Sequence, residues 1–324
     1  MHLTAHTEQF KLDGAFTISR GSRTEAHVVR VSASHAGATG QGECVPYARY
    51  GETVSSVVDQ IESLAARGDA LTREALQGAL PAGAARNAVD CALWDLEAKA
   101  GGTSVAALAR LGPLAPVTTA YTIGIDTAEA MEAKAREHSS RPLLKIKLGS
   151  PGDVPRLRAV RAGAPTAELI VDANEAWTRD DYLALLPVLD ELGVTLVEQP
   201  FHADNDDALL EVPRPIRICA DESCHDRTSL PGMAGKYDVI NIKLDKTGGL
   251  TEALALHAAA REQGFQIMVG CMVGTSLAMA PALLVAQDAE TVDLDGPLLL
   301  AEDRDPPLAV EGSVLYPAQP SLWG

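Results

Sequence analysis

Six charged residues recur with nearly constant spacing along the second part of the chain. They are Lys147, Asp172, Glu198, Asp221, Lys243 and Asp293. Neighbours among the first five are 22 to 26 residues apart, and the last gap of 50 residues equals two such intervals. Each residue ends or follows a short apolar stretch that is typical of a β-strand. Charged residues on a solvated surface have no reason to recur at this regular interval. If the strands are parallel and close into a barrel, all six side chains meet at the mouth where barrel enzymes build active sites.

Three of these residues are carboxylates from successive strands, which is the pattern of a metal site. Asp172, Glu198 and Asp221 would repel one another unless a cation lay between them. Ligands that are all oxygens favour a hard divalent ion such as Mg²⁺ over zinc. The alternative is helix capping, since Asp172 and Asp221 both precede possible helix starts. Capping does not explain Glu198, which is followed by Gln199-Pro200.

Lysines flank the three carboxylates on both sides. Lys145 and Lys147 are two residues apart in one predicted strand, so both point to the same face. Beside a metal, the two ammonium groups should lower each other's pKa and yield a neutral amine that can act as a base. Solvated lysines on an edge strand are the alternative. A similar pair, Lys243 and Lys246, follows a strand on the opposite side of the predicted barrel. This layout suits a metal-bound substrate carboxylate with a base on each side of its α-carbon.

The elements that would position these side chains are short apolar strands alternating with Ala- and Leu-rich helical stretches. This alternation indicates βα units and a parallel sheet. The predicted strands are Val117–Ile123, Leu143–Leu148, Leu169–Asp172, Thr195–Glu198, Ile216–Asp221, Val239–Lys243, Gln266–Val269 and Thr291–Leu294. Eight strands in about 180 residues favour a compact (β/α)8 barrel over an open sheet.

The first part of the chain indicates a separate α+β domain. Strands are predicted at Thr24–Val31 and Gln41–Pro46, and a helix is predicted at Pro81–Ala100, where Gly101-Gly102 stops it. The tail after Asp305 lacks a further βα unit and is expected to return to this domain. The predicted division is therefore residues 1–112 completed by 305–324, with the barrel at 113–304.

Composition limits the classes of partner and compartment. The 324 residues carry 27 basic and 44 acidic side chains, a net charge of −17 that repels nucleic acid and anionic lipid. No segment reaches the ~20 apolar residues that a membrane helix needs, and the N-terminus lacks the apolar core of a signal peptide. The five cysteines form no CxxC pair, as expected for reduced thiols. We expect a cytoplasmic protein whose partner is a small molecule.

Several motifs together resemble the muconate-lactonizing subgroup of the enolase superfamily. The motifs are Lys145-Ile-Lys147, Val171-Asp172-Ala-Asn174, Val197-Glu198-Gln-Pro200, Ala220-Asp221-Glu222-Ser223 and Asn241-Ile-Lys243-Leu-Asp-Lys246-Thr-Gly-Gly249. Within the subgroup, Asp293-Leu-Asp295 resembles the DxD signature of dipeptide epimerases. The segments from Pro46 to Glu52 and Gly270-Cys271-Met272 resemble those of bacterial L-Ala-D/L-Glu epimerases.

The resemblance implies an α/β fold, a modified (β/α)7β barrel with an N-terminal α+β capping domain. It implies Mg²⁺ ligands at Asp172, Glu198 and Asp221. It assigns the acid/base pair to Lys147 and Lys246. Lys145 would help to stabilise the enolate and tune Lys147.

The resemblance also implies a set of substrate contacts. Lys145, Thr122, Cys271 and Met272 occupy positions that match such contacts. The pair Asp293 and Asp295 would hold the N-terminal ammonium of a dipeptide by charge-assisted hydrogen bonds. The arginine expected to contact an acidic side chain maps onto Arg20, with Arg23 and Arg49 left open as alternatives.

The implied activity is Mg²⁺-dependent epimerisation of a dipeptide, L-Ala-D-Glu/L-Ala-L-Glu, in murein peptide recycling. Two bases would transfer the α-proton through an enolate stabilised by the metal. The alternatives are a cycloisomerase or an o-succinylbenzoate synthase on the same scaffold, or a non-catalytic ligand-binding barrel. The DxD pair argues against both alternative enzymes, because their substrates carry no ammonium. The exact dipeptide and the oligomeric state, including a homo-oligomer, stay open.

Overall fold

The computed structural model describes residues 1–149 and 152–324, and its N-terminal part is the cap. Three antiparallel strands in the order β1-β2-β3 form a sheet covered by helices. The elements of the cap are β1 (His2–Ile18), β2 (Gly21–His35), β3 (Ala38–Cys44), α1 (Val54–Ser63), α2 (Arg73–Ala79), α3 (Ala84–Gly101) and α4 (Val105–Leu108), with 3-10 turns at Ala48–Tyr50 and Ala65–Ala70. The two strands and the helix predicted here are confirmed, each with shifted bounds.

Strand β1 is absent from the predicted elements, although it is 17 residues long. Within it only Leu12 is buried, so it lacks the alternation of apolar and polar residues that marks a half-buried strand. It forms through pairing with β2, and the register shifts between Lys11 and Phe16. The tip of this hairpin reaches the barrel, where Ile125 N donates to Thr17 O at 2.8 Å.

Eight parallel strands form the second sheet, in the order β12-β11-β10-β9-β8-β7-β6-β5. These strands are β5 (Tyr121–Ile123), β6 (Leu143–Lys147), β7 (Glu168–Asp172), β8 (Val194–Glu198), β9 (Arg217–Ala220), β10 (Val239–Ile242), β11 (Gln266–Gly270) and β12 (Thr291–Asp293). The two ends of the sheet meet where Ala120 N donates to Val292 O at 2.8 Å. The predicted barrel with an N-terminal cap is confirmed.

The connections between the barrel strands are mostly α-helical. The helices are α5 (Ala128–Glu137), α6 (Asp153–Gly163), α7 (Arg179–Glu191), α8 (Leu244–Thr247), α9 (Leu250–Glu262) and α10 (Ser276–Val285). On either side of β9, 3-10 turns at Ala203–Glu211 and Arg227–Gly232 replace α-helices; two further 3-10 turns lie at Ala286–Asp288 and Gly296–Leu299. No helix in the described part of the chain has the length and apolar character needed to cross a membrane.

Strand alternation decides which side chains enter the barrel. Leu144 and Ile146 are fully buried in the core between sheet and helices, so Lys145 and Lys147 point to the barrel interior. Deeper in the barrel a separate apolar cluster contains Ile170, Leu196 and Met268. The charged side chains therefore lie above an apolar floor, at the carboxyl ends of the strands.

The C-terminal residues return to the cap. Strands β13 (Val310–Glu311) and β14 (Val314–Leu315) pair with a short strand, β4 (Val117–Thr118), that precedes the barrel. Further on, Trp323 Nε1 donates to Cys91 O on α3 at 3.1 Å. This contact agrees with the expected return of the tail, whereas the boundary at residue 112 stays a prediction.

Candidate active site

The carboxylates of Asp172, Glu198 and Asp221 converge at the barrel mouth. One oxygen from each lies within 4.8 Å of the others, and all three residues are buried. Asn241 Nδ2 donates to Glu198 Oε1 at 2.7 Å and fixes that carboxylate from strand β10, which lies two strands away in the sheet. The predicted convergence of the three acids is confirmed.

Burial and mutual repulsion act differently on the three acids. Burial, followed by the charge of Asp172, raises the pKa of Glu198 to about 7. Burial also acts to raise the pKa of Asp172 and Asp221, but adjacent lysine ammonium groups outweigh it and hold both values below their ordinary range. The three acids therefore depend on nearby positive charge to stay ionised.

Lys145 and Lys147 supply part of that charge. Lys145 Nζ lies 2.6 Å from Glu198 Oε2 and 3.2 Å from Asp172 Oδ2. Lys147 Nζ donates to Asp172 Oδ2 at 2.6 Å. Burial acts to lower the pKa of Lys145, but the charges of Asp293, Glu198 and Asp172 hold it well above its ordinary value. The predicted lowering of the Lys145 pKa concerns a site with the metal bound, so it stays a prediction.

The opposite side of the mouth carries Lys243 and Lys246, and the two have different surroundings. Lys243 lines the cavity and donates to Asp221 Oδ2 at 2.7 Å. Lys246 is 1% exposed, and its Nζ donates to Asp221 Oδ1, Asp221 O and Asn241 O at 2.6 to 2.8 Å. Lys246 is absent from the lining of the cavity within the described residues. On this side of the mouth the lysine that lines the cavity is therefore Lys243, which the sequence-based assignment of site residues omitted.

A cavity opens above the acids, between barrel and cap. Its lining includes all seven predicted substrate contacts, namely Thr122, Lys145, Cys271, Met272, Asp293, Asp295 and Arg20. It also includes cap residues that the site assignment omitted, namely Phe16, Ile18, Tyr47 and Tyr50, together with Glu222 of the barrel. Phe16 and Ile18 gave no spacing signal that could identify them, whereas Tyr47 and Tyr50 lie in the segment from Pro46 to Glu52 that carries part of the family resemblance.

The acid pair Asp293 and Asp295 lies at one end of this cavity. Asp293 Oδ2 accepts from Lys145 Nζ at 2.6 Å, while Asp293 Oδ1 is buried without a hydrogen-bond partner in the described residues. Asp295 Oδ2 accepts from Thr122 N at 2.6 Å. Burial and the charge of Asp293 raise the pKa of Asp295 to about 7. Both carboxylates would gain from a cationic group bound between them.

Three arginines of the cap reach this region with different partners. Arg20 donates to Glu222 Oε1 at 2.7 Å, to Tyr47 Oη at 2.8 Å and to Asn174 O at 2.9 Å. Arg49 holds Glu175 with two hydrogen bonds of 2.7 and 2.8 Å. Arg23 lines the cavity, and its contact among the described side chains is the Tyr47 ring, 5.9 Å away. Arg23 is thus the cavity arginine without a carboxylate partner in the described structure.

The residues at the mouth fit a hard divalent cation. The converging ligands are all carboxylate oxygens, which Mg²⁺ prefers over the nitrogen and sulfur ligands typical of zinc. The four carboxylates of Asp172, Glu198, Asp221 and Asp293 face four lysine ammonium groups. A cation can therefore be held at the three ligands while lysines remain beside it.

Family models cover most of the chain. Residues 2–110 match the mandelate racemase/muconate lactonizing enzyme N-terminal domain, and residues 126–320 match the enolase C-terminal domain-like family. The chain is 48% identical to an L-Ala-D/L-Glu epimerase of Escherichia coli, over 93% of this chain and 95% of that protein. It is 46% identical to an N-acetyl-D-glutamate racemase of a Pseudoalteromonas species, over 88% and 91% of the two chains.

A solved structure has nearly the same fold. It is an enolase family member from Agrobacterium tumefaciens, described as having homology to dipeptide epimerases, with bound sodium and L-Ala-L-Glu. The TM-score is 0.98 and the identity is 56%, with 100% of this chain and 99% of that chain covered.

Proposed function

This chain belongs to the mandelate racemase/muconate lactonizing enzyme family of the enolase superfamily, and on that premise we propose that it is a Mg²⁺-dependent dipeptide epimerase. The proposed reaction interconverts L-Ala-L-Glu and L-Ala-D-Glu, which makes the protein an isomerase. One observation carries the proposal: Lys147 and Lys243 line the same cavity from strands β6 and β10, four positions apart in the eight-stranded sheet. Binding alone needs no such pair of opposed bases.

Mg²⁺ bound at Asp172, Glu198 and Asp221 would supply positive charge that stabilises the substrate carboxylate when the α-proton is removed. Lys147 and Lys243 carry out the proton transfer. One of them, as a neutral amine, accepts the α-proton from its face, and the other, as an ammonium, donates a proton to the opposite face. The product is the epimer, and the two lysines exchange roles in the reverse direction.

Two sets of charged groups that line the cavity favour an acidic dipeptide as the substrate. Asp295, with Asp293 beside it, offers carboxylate oxygens to the N-terminal ammonium. Arg23 offers a guanidinium without a carboxylate partner to the acidic side chain, so we assign side-chain recognition to Arg23 rather than Arg20.

Likewise, we assign the second base to Lys243 instead of Lys246. We further propose a cytoplasmic role in murein peptide recycling.

Proton NMR in D2O tests the proposal directly. With L-Ala-L-Glu or L-Ala-D-Glu, the α-proton signal of the glutamate should disappear and the other epimer should form. A new ring or alkene would instead indicate a cycloisomerase or lyase, and unchanged spectra with both epimers would indicate a binding protein.

A second candidate substrate is N-acetylglutamate, because one relative is named as its racemase. Removing the ammonium from L-Ala-L-Glu leaves an N-acylglutamate, so the two substrates differ at the Asp293/Asp295 end. If N-acetylglutamate is the preferred substrate, kcat/KM for N-acetyl-L-Glu should exceed kcat/KM for L-Ala-L-Glu.

Asp295→Asn separates these two candidates. Asparagine can still accept from Thr122 N, so the variant removes the charge and retains this hydrogen bond. Loss of one partner from a buried charge pair costs on the order of 2–5 kcal/mol. We expect kcat/KM for L-Ala-L-Glu to fall by roughly two to three decades, since about 1.4 kcal/mol is tenfold. The value for N-acetyl-L-Glu should change little. Equal losses for both substrates would contradict recognition of the ammonium by Asp295.

Arg23→Met should change the preference for the second residue of the dipeptide. A hydrogen bond to a charged group contributes about 1.5–3 kcal/mol, so kcat/KM for L-Ala-L-Glu should fall roughly 10- to 100-fold relative to L-Ala-L-Met. Arg20→Met is the matched control, because Arg20 binds Glu222 and Asn174 of the barrel. It should weaken turnover of both dipeptides to a similar extent. A selective loss of the glutamate substrate in the Arg20 variant would return the assignment to Arg20.

A further inference from the structure

The segment from Lys243 to Gly249 is held by the cap as well as by the barrel. Lys243 follows β10 and precedes the single turn α8, and Asp245 points away from the cavity toward the cap. Asp245 Oδ1 accepts from Asn87 Nδ2 at 2.8 Å and from Val45 N at 3.2 Å. Asp245 is 7% exposed and Asn87 is 3% exposed, so these bonds are shielded from water. Asp245, between the two lysines, is therefore fixed by cap helix α3 and by Val45, which follows β3.

Arg86, the neighbour of Asn87 on α3, binds the other end of the same turn. Its Nη2 donates to Thr247 O at 2.7 Å and its Nε donates to Gly248 O at 3.2 Å. These carbonyls lie at the carboxyl end of α8, where no N–H group of the helix is available as a hydrogen-bond donor. Two consecutive residues of the cap thus bind α8 at its middle and at its end.

The glycines after α8 permit this close approach. Gly248 and Gly249 both have positive φ, at 73° and 113°. A Cβ at Gly248 would lie 2.3 Å from Arg86 Nε, and one at Gly249 would lie 2.5 Å from Asp90 Cβ. The Gly-Gly pair therefore accommodates the side chains of Arg86 and Asp90 on α3.

Lys147 is held in a different way. It belongs to β6, and its ladder partner is Asp172 on β7. Its ammonium donates to the same Asp172 side chain. Its position follows from the barrel sheet, whereas Lys243 lies just beyond its strand, in a segment that the cap completes.

We propose that Asn87 and Arg86 are positioning residues that fix Lys243 for proton transfer, acting through Asp245 and the carbonyls of Thr247 and Gly248. This inference rests on the proposed function, since it concerns one of its two bases. Among the described residues, α3 forms these hydrogen bonds with the Lys243 segment and none with β6, so their loss should affect proton transfer on one face of the substrate. A misplacement of about 1 Å can cost on the order of 10²-fold in rate.

The test compares α-proton exchange of L-Ala-L-Glu and L-Ala-D-Glu in D2O, using the Mg²⁺-loaded full-length protein. The epimer that still exchanges in Lys147→Ala is the one served by Lys243. In Asn87→Ala and Arg86→Met, initial exchange of that epimer should fall about 10- to 100-fold, while exchange of the other epimer stays within about twofold. The ratio of the two rates in one preparation does not depend on the folded fraction, so partial unfolding cannot produce the effect.

Thr251→Val is the matched control, because Thr251 Oγ1 donates to Asp90 on α3 at 2.7 Å, beyond the Lys243 segment. It should leave the exchange ratio unchanged. In the double variant Asn87→Asp/Asp245→Asn, the hydrogen-bond donor and the acceptor exchange positions. This variant should therefore recover in part the ratio of the exchange rates of the two epimers. Equal losses for both epimers, or no loss, would overturn the positioning role. If the wild type exchanged neither epimer, the proposed function itself would fail, and the positioning role with it.

Discussion

Lys147→Ala and Lys243→Ala should each reduce epimerisation of L-Ala-L-Glu by about 10²- to 10⁴-fold, the usual contribution of a positioned acid or base. The reason is geometric. The two lysines line the cavity from opposite sides of the barrel, so neither can replace the other on its face of the substrate. Each variant should still exchange the α-proton of one epimer, and the surviving epimer should differ between the two variants. Initial rates of α-deuteration measured separately for each epimer check this result.

Lys246→Met provides the comparison for this pair. Lys246 is bonded to Asp221 and Asn241 beneath the cavity, so its loss should disturb Asp221 and weaken metal binding. Turnover of both epimers should then fall together and should recover in part at higher Mg²⁺ concentration. The role of base would return to Lys246 if Lys246→Met still exchanged only one epimer while Lys243→Ala exchanged both.

Removal of divalent metal should abolish turnover, and added Mg²⁺ should restore it. Asp172, Glu198 and Asp221 bring three carboxylates together, and without a cation no other group supplies a double positive charge to the substrate carboxylate. The measurement is epimerisation after exhaustive EDTA treatment and dialysis, followed by titration with Mg²⁺. Asp221→Asn should require a higher Mg²⁺ concentration, which calorimetric titration can measure apart from activity.

The metal-free protein should nevertheless stay folded. Four lysine ammonium groups lie within 3.2 Å of the carboxylates at the mouth, so charge is balanced there before metal binds. Circular dichroism should therefore be unchanged by EDTA. Full turnover by verified metal-free protein would refute the metal-dependent mechanism, and unfolding by EDTA would refute the charge balance.

The barrel could be predicted from the sequence because its strands repeat one arrangement. All eight predicted strands occur in the structure, with a break at Thr119 and Ala120 in the first and ends shifted by at most one residue elsewhere. The regular spacing of the charged residues at the strand ends also identified Lys243 as a residue of the barrel mouth. The motif resemblance assigned the second base to Lys246 instead, three residues further along. Only the structure reveals that the chain turns into α8 after Lys243, so that Lys246 points beneath Asp221 rather than into the cavity.

The cap was less accessible to prediction, for a physical reason. Strand β1 has one buried residue and carries little apolar pattern. The role of Arg20 depends on contacts across more than 150 residues of sequence, such as that with Asn174. Nothing in local spacing distinguishes an arginine that pairs with Glu222 from one that has no such partner.

The contact between α3 and the Gly248-Gly249 pair bears on how this scaffold could be re-engineered. The hairpin of β1 and β2 carries Arg23, whereas α3 carries the groups that meet the two glycines. A chimera that takes only the hairpin from a relative should acquire new specificity and keep proton transfer on both faces. A graft of the whole cap would bring a foreign α3 against the native Gly-Gly turn. The natural crossover points for such chimeras therefore lie inside the cap, after β2, and not at the boundary between cap and barrel.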